Sequence, residues 1–313
     1  MILGIIGKKG SGKTTVANYL IKKGFRTLTL LEFNSKNYDI KLNYVIDDLT
    51  IQGIEILSSI DNFFIIELDA DDGIIKTRTN NHPMEIPYLI PDFKVYNNST
   101  FEELFLKIDF ILNNLNFSNP KERFEKTYNQ IYYFDGRFIT RPIKEKYYLS
   151  VAREVAKRST CLYVRYGAII VKNDEIISTG YVGAPRGVKS SLDKGFCLRR
   201  QLKIPSGTHY EICRSVHAEQ NAIINAARSG ASILDGILYF YGEKYTNVDT
   251  EIINGFPCFI CKKMIINSGI KQFITITSSG KIKIYEVEQW KQEWEEKDML
   301  DCKDRYFVNY DNF

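Results

Sequence analysis

No apolar run in this chain of 313 residues is long enough to cross a bilayer. The opening Met1-Ile2-Leu3-Gly4-Ile5-Ile6-Gly7 is too short for the apolar core of a secretion signal. Charge of one sign is also missing: 42 Lys and Arg face 38 Asp and Glu, and a net +4 offers no broad field to a nucleic-acid backbone. The six cysteines include one Cys-x-x-Cys pair in metal spacing, and nothing in the sequence suggests export, so they read as reduced ligands and not as a disulfide framework. Repeats and low-complexity tracts are lacking. We therefore expect a cytosolic protein with no membrane partner and no nucleic-acid partner. What remains is ordinary globular composition, 44% hydrophobic and 26% charged, on a chain long enough for two cores.

The first third alternates strand and helix. An apolar strand, Ile2 to Ile6, runs into Gly7-Lys8-Lys9-Gly10-Ser11-Gly12-Lys13-Thr14, and a helix is expected over Lys13 to Lys22 with Val16, Ala17 and Leu20 on one face. Gly-x-x-x-x-Gly-Lys-Thr between strand and helix is a phosphate-loop pattern. Glycines at 7, 10 and 12 let backbone N–H groups wrap a phosphate, Lys13 reaches the outer phosphates, and Thr14 touches Mg²⁺. Strands follow at Tyr44 to Asp48, Phe63 to Leu68 and Phe93 to Tyr96, with helices at Ile51 to Ser58 and Thr100 to Asn113. That order predicts a parallel sheet flanked by helices, with Asp47 or Asp48 as the acid on the Mg²⁺ side.

The order resembles deoxynucleotide monophosphate kinases and dephospho-coenzyme A kinases, down to the helix start Asn98-Ser99-Thr100-Phe101-Glu102-Glu103-Leu104. It departs from them where a kinase needs an acceptor domain and a lid. Residues 29–43 leave little room for the first, and Lys76-Thr77-Arg78 with the loop to Pro91 is a meagre lid. The resemblance implies a module for ATP or another NTP with Mg²⁺, a sensor or a worn remnant rather than a kinase. We expect this domain over residues 1–115, and a connecting segment over 116–142 with one helix near Lys121 to Tyr132. A second domain follows over 143–286 and an amphipathic helical tail over 287–313, carrying Trp290 and Trp294.

The strongest pattern lies in the second domain: His217-Ala218-Glu219, then Pro257-Cys258-Phe259-Ile260-Cys261. One imidazole and two thiolates hold Zn²⁺ and leave a fourth position for water. A carboxylate two residues after the imidazole stands beside that water without being a ligand. A structural zinc knot would need a fourth protein ligand and no Glu219. The spacing is the known signature of zinc nucleobase deaminases.

From Tyr147 to about Tyr285 the chain resembles deoxycytidylate deaminases. The likeness rests on Ser159-Thr160-Cys161, Gly167-Ala168-Ile169-Ile170-Val171, Gly183-Ala184-Pro185-Arg186-Gly187, Val216 to Ile223, and Pro257 to Ile270. It implies an α/β/α sandwich of the cytidine-deaminase type and hydrolytic conversion of dCMP to dUMP, with Glu219 moving protons. It also implies substrate contacts at the Ala218 backbone and the loop of Gly183, Pro185, Arg186 and Gly187, where Arg186 and Lys189 could hold a phosphate. An oligomer, of the order of a hexamer, is implied too. Two positions depart: Val182 and Tyr163 stand where the family tends to carry Asn and Arg, with Arg165 the nearest cation. Some relatives have a second, structural zinc, for which Cys161, Cys197, His209 and Cys213 are the candidates, with Ile204-Pro205-Ser206-Gly207 as the turn that folds them together. Cys302 has no partner in this scheme. Three other readings stay open. One is an antiviral deaminase that depletes dCTP under the control of a nucleotide effector at the phosphate loop. The second is a silent nucleotide-binding regulator, and the third an editor of RNA or single-stranded DNA.

Overall fold

The computed structural model describes residues 1–34, 38–47, 49, 51–71, 90–205 and 209–297. The chain divides into two compact units, Met1–Ile143 and Lys144–Phe313. Among the described residues, no helix is long and apolar enough to cross a membrane.

The first unit is built on a seven-stranded sheet. Its elements in chain order are β1 (Ile2–Gly7), α1 (Lys13–Lys22), β2 (Arg26–Thr27), α2 (Leu30–Asn34), β3 (Tyr44–Ile46) and α3 (Ile51–Leu57). They continue with β4 (Phe63–Asp69), β5 (Phe93–Tyr96), α4 (Phe101–Asn113), α5 (Pro120–Lys126), β6 (Asn129–Phe134) and β7 (Arg137–Pro142). The order across the sheet is β2-β3-β1-β4-β5-β6-β7, parallel throughout except for the last pair. Alternation along β1 feeds two cores. Leu3 and Ile5 pack with Val16, Leu20, Leu104 and Ile108 from α1 and α4, while Ile2 and Ile6 pack with Ile54 and Leu57 from α3. A strand buried on both faces has to be apolar at every position, and Ile-Leu-Gly-Ile-Ile is. Lys76-Thr77-Arg78 and the loop after them as far as 89, Asp48, Ser206, Gly207 and Cys302 lie outside the described residues.

Residues 116–142 are not a connection. Asn119 caps α5, its side chain accepting from the Glu122 amide at 2.9 Å. The helix stops at Lys126, well before Tyr132, because Asn129-Gln-Ile-Tyr-Tyr-Phe takes up alternating burial as β6 beside β5. Asp135 and Gly136, at φ 50 and 72, close a tight hairpin into β7. Arg123 of α5 is buried against Asp92 at 3.2 Å, and Asp92 accepts from the Ile65 amide at 2.9 Å, so this segment is wired into the sheet.

The second unit is mixed α/β. It opens with α6 (Lys144–Ala156), β8 (Val164–Lys172), β9 (Glu175–Tyr181), the short helices α7 (Ser191–Lys194) and α8 (Leu198–Gln201), and α9 (Ala218–Ser229). It closes with β10 (Ile237–Tyr245), β11 (Thr250–Ile252), α10 (Phe259–Asn267), β12 (Gln272–Ile276), β13 (Ile282–Glu286) and α11 (Val287–Lys297). The sheet runs β13-β12-β10-β8-β9, with β11 paired to β10 off this path. One face (Ala168, Ile170, Leu238, Phe240, Phe273) packs on Ala218, Ala222 and Ala226 of α9 and Ile265 of α10. The other face meets α6, whose Ala152 and Ala156 backbones sit against Gly167 and whose Tyr148 ring packs on Tyr239. As far as residue 297 the expected tail helix packs on its own domain: Val287 and Trp290 are 1% and 2% exposed, inside the same core as Phe273.

Candidate active site

Two helix starts bring the metal-ligating side chains together. His217 is the N-cap of α9 and Cys258 the N-cap of α10, with Cys261 one turn in. The Gln220 side chain accepts from the His217 amide at 3.0 Å and fixes the entry to α9. Behind it, α9 is bolted to β9. Gly180 lets the helix backbone approach, Ser178 donates to the Ala222 carbonyl at 2.9 Å, and Asn221 donates to the Tyr181 carbonyl at 2.8 Å. Gly183 pairs with Val216 through two backbone bonds, 3.2 and 2.8 Å, directly before His217.

His217 Nδ1 lies 3.4 Å from Cys258 Sγ and 3.3 Å from Cys261 Sγ. Ligands sharing a tetrahedral Zn²⁺ would stand about 3.6 Å apart, given zinc–nitrogen and zinc–sulfur bonds of roughly 2.0–2.1 and 2.3 Å. The three donor atoms thus fit one zinc. Among the described residues they are the one group of three such atoms within 4.8 Å of each other. The Cys258 thiol is held below its ordinary value by the Cys261 thiol beside it and by His217, against the cost of burial. A thiolate is thereby favoured at a helix N-terminus, where P-C-x-x-C places it.

Glu219 is 3% exposed, and burial pushes its carboxyl up, opposed by the charge of His217. It opens onto a cavity of ≈ 240 Å³ whose lining includes His217, Cys258, Tyr166, Phe240 and Phe256. The Tyr210 ring stands edge-on to His217 with centroids 5.1 Å apart.

The remaining expected residues divide. Cys161, Cys197 and Cys213 line this same cavity, but they form no group of three ligand atoms among the described residues. His209 is turned to Glu211 at 2.9 Å and is exposed, so the arrangement does not assemble the second zinc set. Gly183, Pro185, Arg186 and Gly187 are not in the cavity lining; Arg186 reaches Asn225 of α9 at 2.7 Å instead. Ala218 is fully buried between the ligand and the acid. Val182 and Tyr163 do line the cavity. Arg199, Arg200 and Tyr210 also line it and carried no local signal, since their segment reads as polar loop and only tertiary contact brings it over the site.

In the first unit, Gly7–Thr14 runs from the end of β1 into α1, with Gly12 at φ 104. Gly10 has φ 86, and Lys13 donates back to the Gly7 carbonyl at 2.8 Å and the Lys8 carbonyl at 3.3 Å. Asn97 donates to the Ser11 carbonyl at 2.7 Å. Thr14 lies in the first turn of α1, and Asp47 follows β3 in a half-buried position.

A mixed α/β unit with a His-Cys-Cys ligand set and a buried carboxyl in one cavity is the arrangement that zinc nucleobase deaminases use. Residues 142–277 match the cytidine and deoxycytidylate deaminase zinc-binding region. The deoxycytidylate deaminase of Mycobacterium phage D29 is 30% identical over 141 residues, 44% of this chain and 96% of the phage protein. That of Schizosaccharomyces pombe is 31% identical over 138 residues, again 44% of this chain but 38% of the yeast protein. A cyanophage S-TIM5 dCMP deaminase structure is 27% identical, covering 44% of this chain and 85% of that one at a TM-score of 0.32. The chain belongs to the deoxycytidylate deaminase family. The family match lies almost wholly in the second unit, and the chain spans little more than a third of the yeast relative's length.

Proposed function

We propose that the second unit hydrolyses a deoxycytidine nucleotide, dCMP first, to dUMP and ammonia. The observation that carries this reading is Glu219, a buried carboxyl beside a fitted His-Cys-Cys ligand set at the floor of a cavity. Zn²⁺ held by His217, Cys258 and Cys261 would supply the Lewis acidity that makes water acidic near neutral pH. Glu219 then carries protons: it takes one from water as the oxygen adds to C4 and passes it to ring N3, then moves the second from that oxygen to the amino group, so that the C4–N bond breaks, ammonia leaves and the C4 carbonyl forms. Its burial suits the task, because burial raises the proton affinity of the carboxyl against the charge of His217, and the group must hold a proton between transfers. Tyr166, Phe240 and Phe256 offer apolar walls to a flat base, and the backbone at Ala218 would meet its carbonyl.

For the first unit we propose nucleotide binding through Gly7, Gly10, Gly12, Lys13 and Thr14, with Asp47 on the Mg²⁺ side. The loop leaves the carboxyl end of a central parallel strand, where open α/β sheets take their ligands. We assign it a regulatory role over the deaminase.

The test is ammonia release by the zinc-loaded full chain, given dCMP, dCTP, deoxycytidine or a cytosine-containing oligonucleotide in turn. Turnover of dCMP is expected. Turnover of dCTP without dCMP would replace this reading with nucleotide depletion under control of the first unit. Glu219→Gln should keep its zinc and lose roughly 10²–10⁴ in kcat; wild-type turnover by that variant would overturn the mechanism.

A further inference from the structure

Lys262, the residue after the ligand Cys261 on α10, is 2% exposed. A lysine is almost never buried to that extent unless its cation is matched. An apolar side chain of the same length would fill the space without the cost of desolvation, so this burial is kept for what the cation attracts. Its Nζ lies 4.7 Å from the ring centre of Phe256 and 5.2 Å from that of Trp290. The two rings meet edge to face with centres 6.0 Å apart. Tyr285 completes the cluster, 5.2 Å from Phe256 and 6.0 Å from Trp290. A cation set over two desolvated π faces holds both rings in place.

Phe256 carries this arrangement to the reacting centre. It lines the deaminase cavity two residues before the ligand Cys258, and its loop is pinned from the other side where Asn254 accepts from the Ser278 amide at 2.8 Å. Trp290 belongs to α11, so the last described helix reaches the cavity wall through Lys262. We propose that Lys262 is a positioning residue for the deamination, which together with Trp290 holds the Phe256 ring as a fixed wall against the base. This assignment rests on the deaminase reading of the same cavity. Without the cation, Phe256 stands at the wall for only part of the time, and affinity for the base falls by that fraction. The wall meets substrate and transition state alike, so the loss falls on KM and spares kcat. It concerns the base, so dCMP and deoxycytidine lose equally.

The experiment measures kcat and KM for dCMP and deoxycytidine in the zinc-loaded full chain and in Lys262→Met, Lys262→Arg, Phe256→Leu and the double variant of Lys262→Met with Phe256→Leu. Lys262→Met should raise KM for both substrates roughly 3- to 30-fold, the range a desolvated cation–π contact spans. Its kcat should stay within about threefold and its zinc content should not change. Lys262→Arg should recover part of the loss. The double variant should lose no more than Phe256→Leu alone, because Lys262 acts through that ring. Lys263→Met is the control: it removes the same charge one residue on, from an exposed side chain, and should behave as wild type. Additive losses in the double variant would overturn the proposal. So would the same KM rise in Lys263→Met, or a lower melting point in Lys262→Met with KM unchanged. Should Lys262→Met not fold, Lys262→Gln runs the same cycle. Calorimetric titration of these proteins with dUMP reads the wall without turnover, and equal affinity in wild type and Lys262→Met would overturn the proposal there. A wild-type chain that deaminates nothing yet binds dUMP with this pattern of losses would sink the deaminase reading and leave the assignment of Lys262 standing.

Discussion

Gly180→Ala tests whether the contact between β9 and α9 sets the catalytic geometry. A Cβ at position 180 would lie 2.3 Å from the Ala218 carbonyl oxygen and 2.3 Å from the Ala222 nitrogen. Both are backbone atoms of the helix that starts at His217, so neither can swing aside as a side chain would. Ordinary contact begins near 3.4 Å, so helix and strand must part by about 1 Å. Overpacking of that kind costs about 1–3 kcal/mol. At roughly 2–4 °C per kcal/mol for a domain of this size, the second unit's unfolding midpoint should fall by about 2–12 °C. The functional effect should be larger than the loss of stability suggests, because Ala218 sits between His217 and Glu219. A displacement of about 1 Å at a reacting centre costs on the order of 100-fold in rate. The assay is differential scanning calorimetry with dCMP turnover at a temperature where the variant is fully folded. Thr179→Ala, an exposed neighbour, is the control and should behave as wild type. A Gly180→Ala protein with unchanged melting and unchanged kcat would refute the claim that this approach positions the site.

Trp290→Ala should destabilise the second unit by about 3–5 kcal/mol, as expected for a large side chain lost from a packed core, and denaturant unfolding measures it; a change under 1 kcal/mol would return α11 to the status of a tail. Lys13→Ala should abolish binding of a Mg²⁺–nucleoside triphosphate by the full chain while leaving the zinc content intact, read by calorimetry and metal analysis. Wild-type nucleotide affinity in that variant would remove the phosphate-loop assignment. Glu122 is held down to about 2, first by its bond with Lys126 and then by Ser118. A depressed carboxyl pKa adds stability that is present above the unfolded value of about 4.5 and is lost as pH falls towards 2. Side-chain NMR titration should place its midpoint near 2, and a midpoint near 4.5 would show those bonds absent in solution.

Much of this architecture is written locally. Ile2 to Gly7 reads as a strand because a central parallel strand has to be apolar on both faces, and the helix starts at Thr100 and Asn119 announce themselves through side chains that cap a backbone amide three residues on. Residues 129–142 show where local reading fails. Their alternation is interrupted by tyrosines and threonine, and Asp135-Gly136 signals a turn without saying what it joins. β6 becomes a strand because β5 presents a free edge beside it. α11 is similar: its polar spacing suggests a surface helix, and the burial of Val287 and Trp290 depends on the apolar face that β12 turns towards them.

The sequence by itself determined the chemistry of the centre. His217, Glu219, Cys258 and Cys261 are bound to two short motifs whose spacing puts one acid and three metal donors at helix starts, and such spacing survives any detail of packing. Tertiary structure alone decided what surrounds that centre. Arg199, Arg200, Tyr163 and Tyr210 share no motif, and they become a cavity wall only once α8 is folded over the sheet. The same packing kept the loop of Arg186 out of the lining and turned His209 towards Glu211. Ligand geometry follows from covalent spacing along one or two helical turns, whereas recognition follows from contacts between segments far apart in the chain.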